Sequence, residues 1–306
     1  MKTIQFIITC LLLIILIIIL TCHYYPIHND NDNDYEYDII DYKSIKFKPS
    51  RKQKFNNSVI IAGTCRNVAE HLPNVLNTIE NLRKHVDKSV VIISEEGSSD
   101  NTRDILLNYA DTCSQVKLLL KDKNLYPSIT IRIADGRNEI LNYIQNTNKF
   151  KYFDYILFLD LDDVNNNNTV ANTFHHALDT MNENHNLISI FPISIPPSLY
   201  YDYWALKMEP NYLENFRHDC SYKSTRIKKL MMEKIIKDVT KKKHLIIVKS
   251  AFNGAGLYRL NDVIKSNAHY DGVTCEHLFF NMYLNYHHPN KFMVIHPLWK
   301  CDERKG

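Results

Sequence analysis

The sequence lacks a strong charge of either sign. Its 37 Lys and Arg face 34 Asp and Glu, a net of +3. That balance argues against a nucleic-acid partner, which would leave a basic footprint. No C-x-x-C or C-x-x-H spacing occurs, which excludes a zinc site of the finger or ribbon type. No internal repeat is evident, so a solenoid or propeller is excluded. Seven cysteines are present, Cys10, Cys22, Cys65, Cys113, Cys220, Cys275 and Cys301. The first two fall in or beside the opening apolar run. Five is odd, so the rest could form at most two disulfides and leave one thiol.

The first segment is apolar. Ile4 to Leu20 is broken only by Gln5, Thr9 and Cys10, and ~20 such residues span a bilayer. No A-x-A-like site follows, which argues against a cleaved signal peptide. Cleavage before Cys22 in the lipoprotein manner would put Thr21 where a smaller residue is usual. The expectation is an uncleaved signal anchor over residues 1–22, crossing the membrane through residues 4–21. Lys2 before the run places the N-terminus in the cytosol and the rest across the membrane. The orientation is that of a single-pass type II protein with a luminal or otherwise non-cytosolic domain. Residues 23–54 are polar, first acidic and then basic, and read as a stem without a core. Residues 55–306 suffice for one large domain. The sequons Asn56-Asn57-Ser58 and Asn167-Asn168-Thr169 suit a glycoprotein exposed on that side.

Strand and helix patterns alternate from residue 58. Ser58–Gly63, Ser89–Ser94, Val116–Leu120 and Tyr155–Leu159 read as buried strands. Helical spacing covers Val68–Val86, Asn101–Ala110 and Ile131–Tyr143, the second with Ser99 or Asp100 as cap. The pattern predicts an α/β fold with a mainly parallel sheet flanked by helices. Ligands in such sheets lie at the carboxyl ends of the strands. After residue 185 the pattern loosens. Leu187–Phe191 and His244–Lys249 read as strands, and Ser224–Lys243 as a basic helix. The change of pattern divides the domain into two halves, 55–165 and 166–306, which the family resemblance described below would make a nucleotide-sugar-binding half and an acceptor-binding half.

Two turns carry chemistry. Phe158-Leu159-Asp160-Leu161-Asp162-Asp163 sets carboxylates at the end of a buried strand. One or two such acids beside diphosphate oxygens suffice for Mg²⁺ or Mn²⁺, which prefer hard oxygen donors. The bland alternative is a solvated acidic turn. Ser94-Glu95-Glu96-Gly97-Ser98-Ser99-Asp100-Asn101-Thr102 offers acids that accept from a base or ribose, and small residues that admit a ligand. The bland alternative is a capped strand-to-helix turn.

E-E-G-S-S-D-N-T resembles the D-D-G-S-x-D-x-T signature of family 2 glycosyltransferases. Thr64-Cys65-Arg66-Asn67 is similar to that family's first nucleotide-contacting loop, and Asp160-Leu161-Asp162 to its DxD motif. The resemblance covers residues 58–165 and implies a GT-A, Rossmann-like fold and a nucleotide-sugar donor. It implies Asp162 and Asp160 as metal ligands, Asp160 also reaching ribose, and Glu95 and Glu96 as nucleoside contacts along with Thr64, Arg66 and Asn67. A weaker likeness joins Arg132-Ile-Ala-Asp-Gly-Arg137-Asn138 and Tyr201-Asp202-Tyr203-Trp204 to fungal capsule and cell-wall mannosyltransferases. It implies Arg132 and Arg137 facing the diphosphate, where a guanidinium fork suits phosphate. The bland alternative is a surface helix with solvated Arg.

In the acceptor half, Asn253-Gly254-Ala255-Gly256 resembles the loop beneath the donor sugar, with a simple hairpin as the alternative. Asp271-Gly272-Val273-Thr274-Cys275-Glu276-His277 resembles the E-D element that holds the general base. His277 stands where Asp is expected, leaving Glu276 or Asp271. His296 resembles a C-terminal histidine returned to the metal. The acceptor is a glycan, protein or lipid hydroxyl. Two other classes stand beside this one. A haloacid-dehalogenase-type phosphatase also carries D-x-D after a strand, but the G-D-x-x-x-D partner motif is missing. A binding protein that keeps the fold without turnover is the other.

Overall fold

The computed structural model describes residues 42–47, 56–113, 115–122, 126, 128–196, 199–209 and 222–302, the last without side chains before 226. The expected anchor and most of the stem lie outside the described residues. Among the described residues no helix is long and apolar enough to cross a membrane.

The strands are β1 Ser44–Lys46, β2 Ser58–Cys65, β3 Lys88–Glu95, β4 Val116–Leu120, β5 Tyr155–Leu159, β6 Leu187–Ser194, β7 Lys207–Met208, β8 His244–Ser250, β9 Ala255–Arg259 and β10 Phe292–Cys301. The helices are α1 Leu72–Arg83, α2 Thr102–Thr112, α3 Ile129–Gln145, α4 Thr169–Asn172, α5 Phe174–Glu183, α6 Tyr222–Lys242, α7 Leu260–Ser266 and α8 Glu276–His287. The predicted helix 68–86 is shorter at its start. Val68 carbonyl closes a turn onto His71 and Leu72 N–H, and Pro73 sits in the first helical turn. A proline is tolerated there because its missing N–H has no intrahelical partner to lose.

One sheet runs β1-β8-β10-β6-β9-β5-β2-β3-β4, with β7 on β8. Its first-half strands β5, β2, β3 and β4 are parallel. The second half corrects the expectation of a mainly parallel sheet. β9 runs antiparallel to both β5 and β6, and β8 antiparallel to both β10 and β1. The sheet is therefore mixed. β1 is a second correction, because residues 44–46 assigned to the stem add an edge strand through Ser44–Lys46 against His244–Ile246.

Alternation along the strands divides the core. Ile60, Ala62, Ile156 and Phe158 face α3 and α8, while Val59, Ile61, Leu157 and Leu159 face α1 and α5. Burial on both faces is why these strands read as unbroken apolar runs. Cys65, Cys113, Cys275 and Cys301 are all free thiols, so no disulfide forms among the described residues.

Candidate active site

The loops after β2 and β3 are stitched together. Asn67, at φ 53°, accepts from Ser99 N–H at 2.8 Å and donates its own N–H to Ser98 Oγ at 3.0 Å. Ala69 N–H donates to Asp100 at 3.1 Å and Val68 N–H to Thr102 Oγ1 at 2.8 Å. Much of the S-S-D-N-T segment thus braces the mouth of the sheet. Glu95 joins the brace. It is fully buried, accepts from Ser98 N–H at 2.5 Å, and pairs with Arg103 at 2.6 Å. Both its oxygens are engaged, which sets Glu95 apart from the nucleoside contact expected of it.

Glu96 differs. Its Oε1 is buried without a hydrogen-bond partner among the described residues. Burial pushes its carboxyl up to about 7, against the pull of Lys121, Arg132 and Arg137. An unsatisfied buried acceptor costs free energy unless something donates to it. Arg66 Nε and Arg132 Nε are likewise without partners.

Helix α3 walls the site. A Cβ at Gly136 would overlap Glu96 Oε1 and lie 2.8 Å from Thr64 Cγ2, so only glycine lets α3 approach. Arg137 follows, buried, with Nη1 2.5 Å from Glu276 Oε1 and Nη2 3.1 Å from Asp160 Oδ1. Its guanidinium lies over the rings of Phe252 at 5.1 Å and Tyr270 at 5.4 Å. Arg137 therefore faces carboxylates and rings from inside the protein, Asp160 of the acidic turn among them. Asn138 holds Tyr270 by both backbone groups, at 2.9 and 2.7 Å.

The acidic turn is fixed from below. Asp160 N–H donates to Gly254 carbonyl at 2.9 Å, and Asn165 Nδ2 donates to the carbonyls of Asp160 and Gly254, each at 2.9 Å. Asp162 Oδ1 accepts from Val164 N–H at 3.4 Å and caps the short turn 163–165. Burial raises the Asp160 carboxyl, and the neighbouring Asp162, Asp202 and Glu276 raise it further, with Arg137 opposing. The carboxylates around Asp160 thus outnumber the one cation named among its neighbours.

Asn253, at φ 58°, is the hub beneath. Its Oδ1 accepts from Tyr201 N–H at 3.0 Å, and its Nδ2 donates to Ser194 Oγ at 3.1 Å and Cys301 Sγ at 3.4 Å. The hairpin alternative fails here, because β10 and β6 separate β8 from β9. Gly254, at φ 84°, admits the Tyr201 hydroxyl, which a Cβ would approach to 2.9 Å. That hydroxyl is buried and has no partner among the described residues. Asp302 N–H donates to Val164 carbonyl at 3.0 Å, and its side chain accepts from Asn167 N–H at 2.9 Å and from Thr169 Oγ1.

Two candidates stand elsewhere. His296 is buried against Phe47 at 4.7 Å and His176 at 5.6 Å, and its Nδ1 accepts from Leu298 N–H at 3.0 Å. Its ring is thus packed into a histidine and aromatic stack. Asp271 Oδ1 accepts from Val273 N–H at 2.7 Å and caps its own turn. Glu276, by contrast, opens α8 in contact with Arg137. His277 is buried, stacked on Phe252 at 3.4 Å, and burial beside Arg137 holds it well below its usual pKa. Sequence reasoning passed over Asn165, Cys301 and Asp302. Their only signal is tertiary, because they meet the acidic turn by folding rather than by motif.

Residues 58–228 match the model of glycosyl transferase family 2. The chain belongs to that family. No curated protein matches it in sequence. Among solved structures it is similar to mannosyltransferase PcManGT from Pyrobaculum calidifontis in complex with GDP-Man and Mn²⁺. The identity there is 11%, the TM-score 0.51, and the match covers 81% of this chain and 57% of that one. It is also similar to S. aureus TarS 1–349 in complex with UDP-GlcNAc, at 15% identity and TM-score 0.48, over 82% of this chain and 59% of that one. The chain thus spans under two thirds of the length of both. The GT-A fold and the glycosyltransferase family are as the resemblance implied. The family match leaves no place for the phosphatase alternative.

Proposed function

We propose that this protein transfers a sugar from a nucleotide-sugar donor to an acceptor hydroxyl. The observation that carries the reading is the junction of Asp160, Arg137 and Glu276, three residues from distant segments joined at the carboxyl ends of β2, β3 and β5. The unsatisfied Glu96 oxygen supports a nucleoside on the β3 side. Thr64 at the end of β2, Arg66 and Asn67 in the loop after it, and Arg132 on α3 are our further candidates for donor contacts.

Asp160 and Asp162 offer hard oxygen donors, and the carboxylates around Asp160 suit a cation. Among the described residues no three His, Cys, Asp or Glu form a complete cage. Diphosphate oxygens and water would complete the shell of Mn²⁺ or Mg²⁺. The ion would neutralise charge on the departing nucleoside diphosphate. A similar fold holding GDP-Man and Mn²⁺ supports this. Glu276, the second acid of this junction, is our candidate to take the acceptor proton. Arg137 fixes its side chain through the 2.5 Å contact. The apolar run at residues 4–21 would anchor the chain as a type II membrane protein, with the domain on the non-cytosolic side.

The test uses the full chain with Mn²⁺ and a panel of UDP- and GDP-sugars, reading released nucleotide. Turnover of one donor is expected, lowered about a hundredfold or more by Asp162→Asn and abolished by chelator. No turnover and no metal-dependent nucleotide binding would overturn the reading. Binding of a donor with no turnover would mark a binding protein that keeps the fold.

A further inference from the structure

Helix α8 has no Asp, Glu, Lys or Arg after its first residue: Glu276-His-Leu-Phe-Phe-Asn-Met-Tyr-Leu-Asn-Tyr-His287. Phe280 and Leu284 enter the core, as an inward stripe should. The outward positions are also apolar. Phe279, Met282 and Tyr286 are exposed, Tyr286 by 80%. A helix with solvent on one face ordinarily carries charge there. The aromatic surface extends sideways. His269 packs on Phe279 at 5.3 Å and on Tyr283 at 5.5 Å, and Tyr283 on His287 at 4.5 Å. It also extends back along the chain. Val273, 82% exposed, lies in the turn entering α8. That turn rests on the start of α3 through Thr130 Oγ1 donating to Gly272 carbonyl at 2.6 Å, beside exposed Ile129 and Ile131.

We infer that this face, Ile129, Ile131, Val273, Phe279, Met282 and Tyr286, docks on the surface of a lipid bilayer. The inference rests on the anchored-transferase reading. Its warrant is the chain outside the described residues. Ile4–Leu20 is apolar over the length of a bilayer span, and residues 21–41 then lead to the first described residue, Tyr42. Twenty-one residues reach at most about 75 Å, so the domain never leaves the neighbourhood of the membrane. Phe, Tyr and Met on a helix face without Asp, Glu, Lys or Arg are residues that settle at the headgroup boundary. Strand β1, where the described chain begins, pairs with β8, and α8 is tied to β8 by Asn285 donating to Lys249 carbonyl at 2.6 Å. Glu276 opens the docked helix. Acceptor hydroxyls held at headgroup depth are then the ones presented to it.

The experiment places the full chain in phosphatidylcholine vesicles containing a photoactivatable diazirine on an acyl chain. Labelled peptides are then mapped. Label is expected on residues 276–287 as well as on residues 4–21. The double variant Met282→Glu with Tyr286→Glu should lower label in 276–287 about tenfold or more, leaving residues 4–21 labelled as before. Both positions are exposed, so the fold tolerates the change, and near-ultraviolet circular dichroism checks it. Label confined to residues 4–21, or no label at all, overturns the inference. So does protection of α8 by cross-linking to a second copy. The readout needs no turnover, so failure of the transferase reading shows separately, in the nucleotide-release assay.

Discussion

Arg137 is a buried cation between two carboxylates, with aromatic rings on its faces. Replacing it by methionine leaves Asp160 and Glu276 without their counter-charge. Breaking a buried pair by removing one partner is far costlier than the pair's net worth, so Arg137→Met should lose about 3 kcal/mol or more of stability. Urea unfolding measures this, and a loss too small to resolve would refute the network. Glu96 gives a pH signature. Its folded carboxyl stands at about 7 against an ordinary 4.5. Between those values the unfolded chain has released a proton that the folded chain keeps. The stabilisation is full below 4.5 and is lost as pH rises through about 7. Glu96→Gln should flatten that part of the stability curve, compared by urea midpoints at about pH 5 and about pH 8. An unchanged slope would assign the dependence to other groups.

Helix α3 shows how one element gathers a site. Three consecutive residues touch three walls: Gly136 the loops after β2 and β3, Arg137 the end of β5 and the start of α8, Asn138 the turn before α8. Gly136→Ala gains helix propensity of up to about 1 kcal/mol. The added methyl meets Thr64 Cγ2 at 2.8 Å and the Glu96 carboxyl. Overpacking costs about 1–3 kcal/mol, so the variant should be no more stable and should bind nucleotide more weakly, as titration calorimetry would show. The amphipathic period made this helix legible in the sequence. The burial of Arg137 and its partners were not legible, because those partners lie 23 and 139 positions away.

Across the molecule, a file of imidazoles runs from the turn after α1 to β10. His85 and His175 stand 6.5 Å apart, His175 and His176 4.0 Å, His176 and His296 5.6 Å. Burial and mutual repulsion lower His176 to about 4 and His296 to about 3. The unfolded residues titrate near 6.5, so the folded chain binds fewer protons below that pH. Stability from these groups is full above 6.5 and falls as pH drops toward 4 and 3, opposite in sign to Glu96. His296→Phe should reduce this acid slope in urea unfolding, whatever it does to absolute stability. An unchanged slope would acquit the file.

The sequence by itself determined strands β2 to β5, the helices between them and the α/β class, and it singled out the two acidic turns. Strand burial writes continuous apolar runs, helices write their period, and a metal or nucleotide demands particular side chains at a strand end. These are local demands, met within a few residues. The tertiary structure alone decided the antiparallel course of β9, the different surroundings of Glu95 and Glu96, and the packing of His296 on Phe47 and His176. It also decided the seat of Arg137 between Asp160 and Glu276. Each depends on which distant groups share a buried space, where a charge or a hydrogen bond must find its partner or be left unsatisfied.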